Sequence, residues 1–479
     1  MTTEPVGTAA ATPSPSPPVK AEAETIDWDN PKLWSVTRKW IITGTTSLMA
    51  FSSTFASSVF STAIKQTSEE FNVSSEVMTL GVSLFVLGYC VGPLLWGPLS
   101  EVHGRRLPLM LGSFAFCVFQ VPVAVAKNAQ TVLVCRFIGG IFASSALGIM
   151  PAVLTDIWNP VERGIAACIY STATFAGPVT GPIIGGFLVE SYLGWRWTAW
   201  ITLIEGGAFW ALGMLLVPET YAPVLLRRRA RALRGTADES ANTAPEHRVG
   251  LREFVTKFLT RPPSMLVTEL VLVLMTLYMS LVYGTLYLFF EAYPISFQEE
   301  RGWSPGVGAL PFLGLTVGVV CGNLTIGFIT VRRFKKKYLE GGNKVAPEER
   351  LIPMMIGAAI LPIGLFWFAW TSNPHITWVP QVVAGALIGM GIQLVYTMGY
   401  NYILDVYTPV AASAVAANTF VRCIAGAGFP LFAAPMYHKL GVGWATSVLG
   451  FLSVALMPVP FLFFKYGKRV RKIGRFAVP

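Results

Sequence analysis

The sequence predicts an all-α integral membrane protein with twelve transmembrane helices in two six-helix pseudo-repeat halves. Of its 479 residues, 53% are hydrophobic and only 13% are charged, against roughly 25% charged in an ordinary soluble domain. Apolar segments long enough to cross a bilayer recur twelve times, and one long basic stretch separates them into two sets of six. This composition disfavours a cytosolic enzyme, a nucleic-acid-binding protein and a disordered scaffold.

Each apolar segment can cross a hydrocarbon core of about 30 Å, because a helix rises about 1.5 Å per residue. The predicted spans lie near 40–60, 78–98, 107–126, 131–154, 165–188, 197–217, 266–291, 305–329, 351–371, 377–402, 412–436 and 441–464. The domains that follow are a disordered tail (1–39), an N-terminal half (40–217), a basic linker (218–264), a C-terminal half (265–464) and a basic tail (465–479).

The distribution of Lys and Arg predicts the orientation in the membrane. Of the 36 basic residues, 29 lie in the two tails, the linker and the loops on the same side as these. Five lie in loops on the other side, and Arg136 and Arg422 lie inside spans. The N-terminal tail lacks the basic start and apolar stretch of a cleavable signal. Both termini and the linker are therefore predicted to be cytoplasmic, and a lipid-binding role of the basic linker is an alternative to its being a plain topology signal.

Cysteine and histidine give no sign of a metal site or a disulfide framework. The six cysteines fall in six different apolar runs, and the four histidines lie in predicted loops. Neither set has the spacing of a metal-binding motif. We therefore expect no metal and no cofactor. We attribute the positive net charge of +10 to the basic residues that set membrane topology, and not to a nucleic-acid-binding surface.

The chain contains short motifs at 97–106 (GPLSEVHGRR), 133–140 (LVCRFIGG), 177–186 (GPVTGPIIGG), 194–197 (GWRW) and 218–226 (PETYAPVLL). They resemble motifs of the major facilitator superfamily, and in particular of its fungal drug:proton antiporters and metabolite exporters. The run GPLSEVHGRR (97–106) is similar to the superfamily's loop between spans two and three, and LVCRFIGG, which contains Arg136, to its arginine motif in span four. GWRW (194–197) and PETYAPVLL (218–226) resemble strings of the fungal branch. An antiporter-like motif in span five comprises Gly177, Pro178, Gly181, Pro182, Gly185 and Gly186.

The resemblance implies a conformational gate at the cytoplasmic end of the N-terminal half. The predicted gate residues are Gly97, Glu101, Gly104, Arg105, Arg106 and Arg163, with Asp156 beside them as a proton-sensitive carboxylate. Such a charge cluster can close in one state and break in the other. A static topology anchor is the alternative. The glycines and prolines of span five suit a close, kinked helix-packing surface.

Charged and polar groups within the bilayer are candidate functional residues, since burying them is costly. The predicted substrate-binding residues are Arg136, Arg422, Gln393, Tyr396 and Asn418. Arginine can hold a carboxylate through paired hydrogen bonds, so these residues favour an anionic substrate. Bracing of neighbouring helices is the alternative role for Arg136. Glu205, near mid-depth in span six, is the first candidate for the proton carrier.

We therefore expect a secondary active exporter of a small organic molecule, coupled to protons and independent of ATP. An endogenous organic acid resembling itaconate, or a secondary metabolite, is favoured as substrate. A broad-specificity multidrug pump is the main alternative, and a non-transporting membrane sensor a lesser one. An integral-membrane enzyme is disfavoured because no cluster of His, Asp or Glu lies at one depth. The expected partners are substrate, protons and lipid, with the protein monomeric in the plasma membrane.

Overall fold

The computed structural model describes residues 30–227, 260–340, 345–472 and 474–476, and within these the long elements are all helices. We number the twelve spans α1 to α12 in chain order. They are Val36–Val59, Ser75–His103, Arg106–Ala124, Ala129–Ile157, Pro160–Glu190, Arg196–Leu216, Leu270–Tyr293, Phe312–Ile329, Leu351–Trp370, Val379–Val406, 411–440 and 442–456. The prediction of an all-helical, twelve-span membrane fold is confirmed.

Short helical segments extend or connect the spans. They are Pro31–Leu33, Phe60–Ala63, Ile64–Phe71, Arg261–Thr268, Pro294–Glu299, Pro305–Ala309, Thr330–Phe334, Lys335–Glu340, Pro347–Arg350, Thr408–Val410 and Pro458–Arg471. Residues 1–29 of the predicted tail (1–39) and most of the basic linker lie outside the described residues, so the predicted domain boundaries remain predictions. Residues 36–39, which the prediction placed in the tail, already belong to α1.

Capping side chains set the starts of several spans. Ser35, Ser74 and Asn128 each precede a helix, and the side-chain oxygen of each accepts a hydrogen bond from the backbone N–H three residues later. These bonds satisfy one of the donors that a helix N-terminus leaves unpaired. A short polar sequence between apolar runs therefore suffices to end one span and begin the next.

The last two spans are separated by one glycine and not by a loop. The apolar run Ser413–Arg471 is 59 residues long, about twice what one crossing needs. At Gly441 the backbone leaves helical geometry, with φ of 75° and ψ of 160°. A side chain is strongly disfavoured at this φ, so the glycine permits the turn between α11 and α12.

The spans form two halves that meet along two pairs of helices. Spans α1 to α6 pack among themselves, as do α7 to α12, while α2 packs against α11 and α5 against α8. We call the end of the bundle where α6 ends and α7 begins the linker side, and the opposite end the far side. The central contact between the halves lies along these four helices.

The glycine-rich face of α5 packs directly on α1. A Cβ atom at Gly177, Gly181 or Gly185 would overlap the backbone or hydroxyl side chains of α1. One step further along, Gly186 contacts the backbone of Pro305 in the other half. The antiporter-like motif therefore brings α5 close to α1 and to the C-terminal half, as small residues do in membrane helices. Pro178 and Pro182 lie within this helix, which continues through both.

Candidate functional site

A central cavity of about 340 Å³ lies between the two halves. Its inner wall is at mid-depth, where α1, α2, α7 and α11 contribute Thr54, Tyr89, Tyr283 and Arg422. From there it runs to the linker-side ends of the helices. This volume lies in the range of cavities that hold small organic molecules.

On the far side the halves are in close contact. A Cβ atom at Gly186, near the far-side end of α5, would overlap the backbone of Pro305 in the other half. The backbone N–H of Gly306 donates to Glu190 Oε2 at the end of α5 over 3.1 Å. The cavity is therefore closed on the far side and extends towards the linker side in this conformation.

Arg422 is the charged residue of the inner cavity. Among the described residues that line the cavity, the other charged ones, Glu101, Arg105, Asp156 and Arg163, lie towards the linker side. The Arg422 guanidinium donates to the Tyr396 hydroxyl, and its Nε has no hydrogen-bond partner among the described residues. A buried guanidinium with an unused donor beside a cavity is suited to hold an anion.

Aromatic rings hold this guanidinium in place. Its central carbon lies 4.6 Å from the centre of the Tyr283 ring and 4.9 Å from that of Tyr396. Phe175 of α5 packs edge-on against Tyr396 at 4.9 Å, and Tyr287 hydrogen-bonds to Ser57 of α1 over 2.9 Å. Both halves therefore contribute to an aromatic wall, which can also stack on an aromatic substrate.

Arg136 lies outside the cavity walls. Its Nε donates to the carbonyl oxygen of Gly81 over 2.6 Å, and its Nη2 to that of Ala56 over 3.0 Å. The guanidinium packs on the rings of Phe60 and Phe85 and is only 3% exposed. It therefore joins α4 to α1 and α2, which matches the bracing alternative and not the predicted contact with substrate in this conformation.

Two other predicted substrate-binding residues also lie behind the cavity wall. Gln393 of α10 donates to Ser171 of α5 over 2.7 Å and to Asn323 of α8 over 2.8 Å. This cluster connects the halves. Asn418 is fully buried and donates to Thr276 of α7 over 3.1 Å. Of the five predicted residues, the structure thus places Arg422 and Tyr396 on the cavity.

The predicted gate loop forms a compact charge cluster at the linker side. Arg105 Nε lies 3.1 Å from Asp156 Oδ2, and Arg105 Nη1 donates to Ser100 over 2.8 Å. Arg106 donates to the carbonyl oxygen of Met214 at the end of α6 over 2.8 Å. Gly97 and Glu101 line the cavity nearby. The structure therefore brings these predicted residues together.

Glu219 anchors the gate loop through hydrogen bonds to its backbone. The sequence motifs did not indicate this residue as part of the gate. Its carboxylate accepts hydrogen bonds from the backbone N–H groups of Arg105 and Arg106, over 2.8 and 3.3 Å. Gly104 has a φ of 89°, and a Cβ there would overlap this carboxylate. The PETYAPVLL motif therefore has a structural role, because its Glu219 anchors the turn before α3.

Arg163 was predicted to contact the cluster of Arg105 and Asp156, and this prediction was wrong. Its guanidinium lies 3.6 Å from Asp405, at the end of α10 in the other half. Asp405 is also paired with Arg350, over 3.0 Å, within its own half. The pair of Arg163 and Asp405 therefore connects the two halves at the linker side; we call it the inter-half pair.

The pseudo-repeat could have revealed this arrangement. Asp156 and Asp405 are each the second-last residue of a span, α4 and α10. Arg105 and Arg350 each immediately precede a span, α3 and α9. In both halves the residues at these positions form an ion pair. The internal repeat was therefore the sequence signal from which a role of Asp405 could have been predicted.

Glu205 lies near the middle of α6, away from the central cavity. It is half-buried beside Ser52 of α1 and Cys117 of α3, within the N-terminal half. One carboxyl oxygen, Oε1, has no hydrogen-bond partner among the described residues. Of the two predicted proton-coupling residues, Asp156 is therefore paired with a cation, whereas Glu205 is not seen beside one.

Comparisons with known proteins agree with this architecture. The family model of the Major Facilitator Superfamily matches residues 46–430. The citrinin biosynthesis cluster MFS transporter mrr1 of Monascus ruber is 52% identical over 477 residues, covering 97% of this chain and 95% of that protein. The ascochitine biosynthesis cluster MFS transporter of Didymella fabae is 50% identical over 454 residues, covering 94% and 88%.

Among solved structures, the proton:xylose symporter XylE, bound to 6-bromo-6-deoxy-D-glucose, has a TM-score of 0.63. It covers 90% of this chain and 96% of its own, at 16% identity, so the likeness concerns the fold alone. The family model and the fungal relatives describe transporters and not enzymes. The chain therefore belongs to the major facilitator superfamily and is a multi-pass membrane transporter of small molecules.

Proposed function

We propose that the protein exports an organic acid of the cell's own metabolism, in exchange for protons. The observation that carries this proposal is Arg422, the positive charge at mid-depth of a cavity between the halves. Its side chain is 9% exposed and held between tyrosine rings. A fixed guanidinium of this kind favours a carboxylate over a neutral or cationic solute.

The predicted topology supports the proposed direction of transport. The excess of Lys and Arg on the linker side favours the cytoplasm for that side, and we propose that the protein is a monomer in the plasma membrane. When the inter-half pair is open, the cavity would then face the cytoplasm and take up its substrate there. Export requires two alternating conformations. In one, the inter-half pair is open and the far-side contacts are closed; in the other, the pair is closed and the far-side contacts are open.

The relatives support a metabolite as the substrate. Two of them are named for the biosynthesis clusters of citrinin and ascochitine, which favours a product of secondary metabolism. The aromatic wall of Tyr283, Tyr396 and Phe175 suits such a molecule if it carries a ring. A small aliphatic acid such as itaconate is compatible with the same arginine.

Broad multidrug efflux is the second candidate, and the aromatic wall favours it. Faces of tyrosine and phenylalanine attract many apolar and cationic solutes. Arg422 distinguishes the two candidates, since a fixed positive charge disfavours a cation at the same place. The ionic selectivity of the cavity therefore decides between them.

Transport into inside-out plasma-membrane vesicles tests the proposal. With an acidic lumen, we expect uptake of labelled itaconate or salicylate by vesicles that contain the protein, and no uptake of the cationic dye rhodamine 6G. Arg422→Ala removes a charge-assisted hydrogen bond of about 1.5–3 kcal/mol, so the affinity for the acid should fall about 10- to 100-fold. Arg332→Ala changes an exposed arginine outside the cavity and is the matched control. Uptake of the dye but of neither acid would favour multidrug efflux.

A further inference from the structure

A second, much smaller cavity lies inside the N-terminal half, between α1, α3, α4 and α6. Its volume is about 10 Å³, close to the least that one water molecule requires. Its polar lining consists of Ser52, Ser53 and Ser113, and these residues are 2%, 1% and 7% exposed. Gly206, the neighbour of Glu205, forms part of the wall.

Two polar atoms at this place have unused hydrogen-bonding capacity. Glu205 Oε1 and Ser52 Oγ are buried, and neither has a hydrogen-bond partner within 3.5 Å among the described residues; the two side chains face each other, and Ser52 is close enough to interact with the Glu205 carboxyl group. Leaving such groups unpaired costs about 1–3 kcal/mol each. A water molecule in the small cavity would give Ser52 a partner, and water needs at least two polar neighbours of this kind.

The charge environment of Glu205 is unusual. The side chains that face its carboxyl are Ser52 of α1 and the titratable thiol of Cys117 on α3. The described structure shows no Lys, Arg or His in contact with it. A carboxylate that is removed from bulk water and has no cation beside it must bind a proton or gain hydrogen bonds.

The small cavity also has a polar connection to the central one. Ser53 lines the small cavity, and its hydroxyl lies 3.2 Å from the Tyr89 hydroxyl. Tyr89 lines the central cavity. A series of hydroxyl groups thus leads from the neighbourhood of Glu205 to the place where substrate would bind.

We propose that Glu205, Ser52 and one trapped water molecule form a proton-holding site in the N-terminal half, connected to the central cavity through Ser53 and Tyr89. When the site is loaded, a proton from the central cavity is passed along the hydroxyl groups and the water, and ends on the Glu205 carboxylate. Each hydroxyl group accepts one proton for every proton it passes on, and release reverses the path. The coupling of this site to export rests on the proposed proton antiport, whereas the site itself does not.

Infrared difference spectroscopy of the full-length protein in lipid nanodiscs tests the site, because it detects protonation of a carboxyl group directly. Lowering the pH should produce the C=O stretching band of a protonated carboxylic acid. We expect this band to disappear in Glu205→Gln, to change frequency in Glu205→Asp and to persist in Glu76→Gln, which changes an exposed carboxyl at the start of α2.

The water and the hydroxyl path have separate readouts. Ser52→Ala removes a partner of the water and should shift the acid band, because the hydrogen bonding of the carboxyl changes. Tyr89→Phe removes one hydroxyl of the path and should slow deuterium exchange of the band without abolishing it. Identical acid bands in the wild type, Glu205→Gln and Glu205→Asp would overturn the proposal.

Transport measurements distinguish the site from the proposed function. If acid uptake into vesicles depends on the pH gradient and Glu205→Gln keeps this dependence, the proton-holding site is wrong while antiport stands. If the acid band belongs to Glu205 but uptake ignores the gradient, the site stands and proton antiport is wrong. We expect Glu205→Gln to lose the response to the gradient while retaining exchange of labelled for unlabelled acid.

Discussion

Neutralising Arg163 should loosen the linker-side contact between the halves. The guanidinium of Arg163 lies 3.6 Å from Asp405, and their side chains are 21% and 23% exposed. At an effective dielectric constant of about 20, two unit charges at that distance attract by about 5 kcal/mol. Desolvation and the ordering of side chains offset most of this attraction. We therefore expect a net contribution of about 1–2 kcal/mol from the pair.

The variant Arg163→Gln removes the inter-half pair and leaves the pair of Asp405 with Arg350, at 3.0 Å, in place. A loss of about 1–2 kcal/mol changes the ratio of closed to open conformations about 5- to 30-fold. The matched control is Arg333→Gln, which removes a pair with Glu349 within one half. That control should leave the ratio unchanged.

Double electron–electron resonance can measure the ratio directly. Spin labels at Glu162 and Thr408 are exposed and stand at the linker-side ends of opposite halves. We expect Arg163→Gln to increase the population with the longer label distance, and Asp405→Asn to have little further effect on that background. Equal distance distributions for Arg163→Gln and Arg333→Gln would show that the inter-half pair does not hold the halves together.

Three further predictions follow from the packing of the spans. Arg136→Gln removes the hydrogen bonds that the guanidinium donates to backbone carbonyl groups, and each unpaired group costs about 1–3 kcal/mol. The variant should therefore have a lower melting temperature in detergent, with no selective effect on acid affinity. Gly181→Val should prevent α5 from packing on α1, so little folded protein should be recovered by gel filtration. The control is Gly207→Val, because a Cβ at Gly207 of α6 would meet nothing within 4 Å. The thiols of Cys90 and Cys423 contact each other between α2 and α11; oxidation with copper phenanthroline should join the halves and stop transport, with recovery on reduction and no effect on Cys90→Ser.

Much of the fold could be predicted because a bilayer leaves few choices. Buried backbone groups in lipid must be satisfied within a helix, so long apolar runs define the spans. The turn at Gly441 shows the limit of this rule. It has no polar loop, and only its left-handed backbone geometry, φ of 75°, separates α11 from α12. The sequence nevertheless predicted two spans there, because the run is too long for one crossing.

The candidate site was less accessible from the sequence because it depends on which residues meet across the halves. Depth along a helix indicated both Arg136 and Arg422, but depth does not say which face points to the cavity. Arg136 turns towards the carbonyl groups of α1 and α2, whereas Arg422 faces the cavity. Arg163 and Asp405 lie far apart in sequence, and their contact follows from the approach of two halves.

Export of an organic acid is the central claim, and a paired metabolite profile of medium and cytoplasm tests it most directly. The comparison uses a deletion strain, the parent strain and a strain that overproduces the protein. We predict that one organic acid disappears from the medium and accumulates in the cytoplasm on deletion, and that Arg422→Ala does not restore its export. Unchanged acids in all three strains, with tolerance to several unrelated toxic compounds following the amount of protein, would contradict the claim.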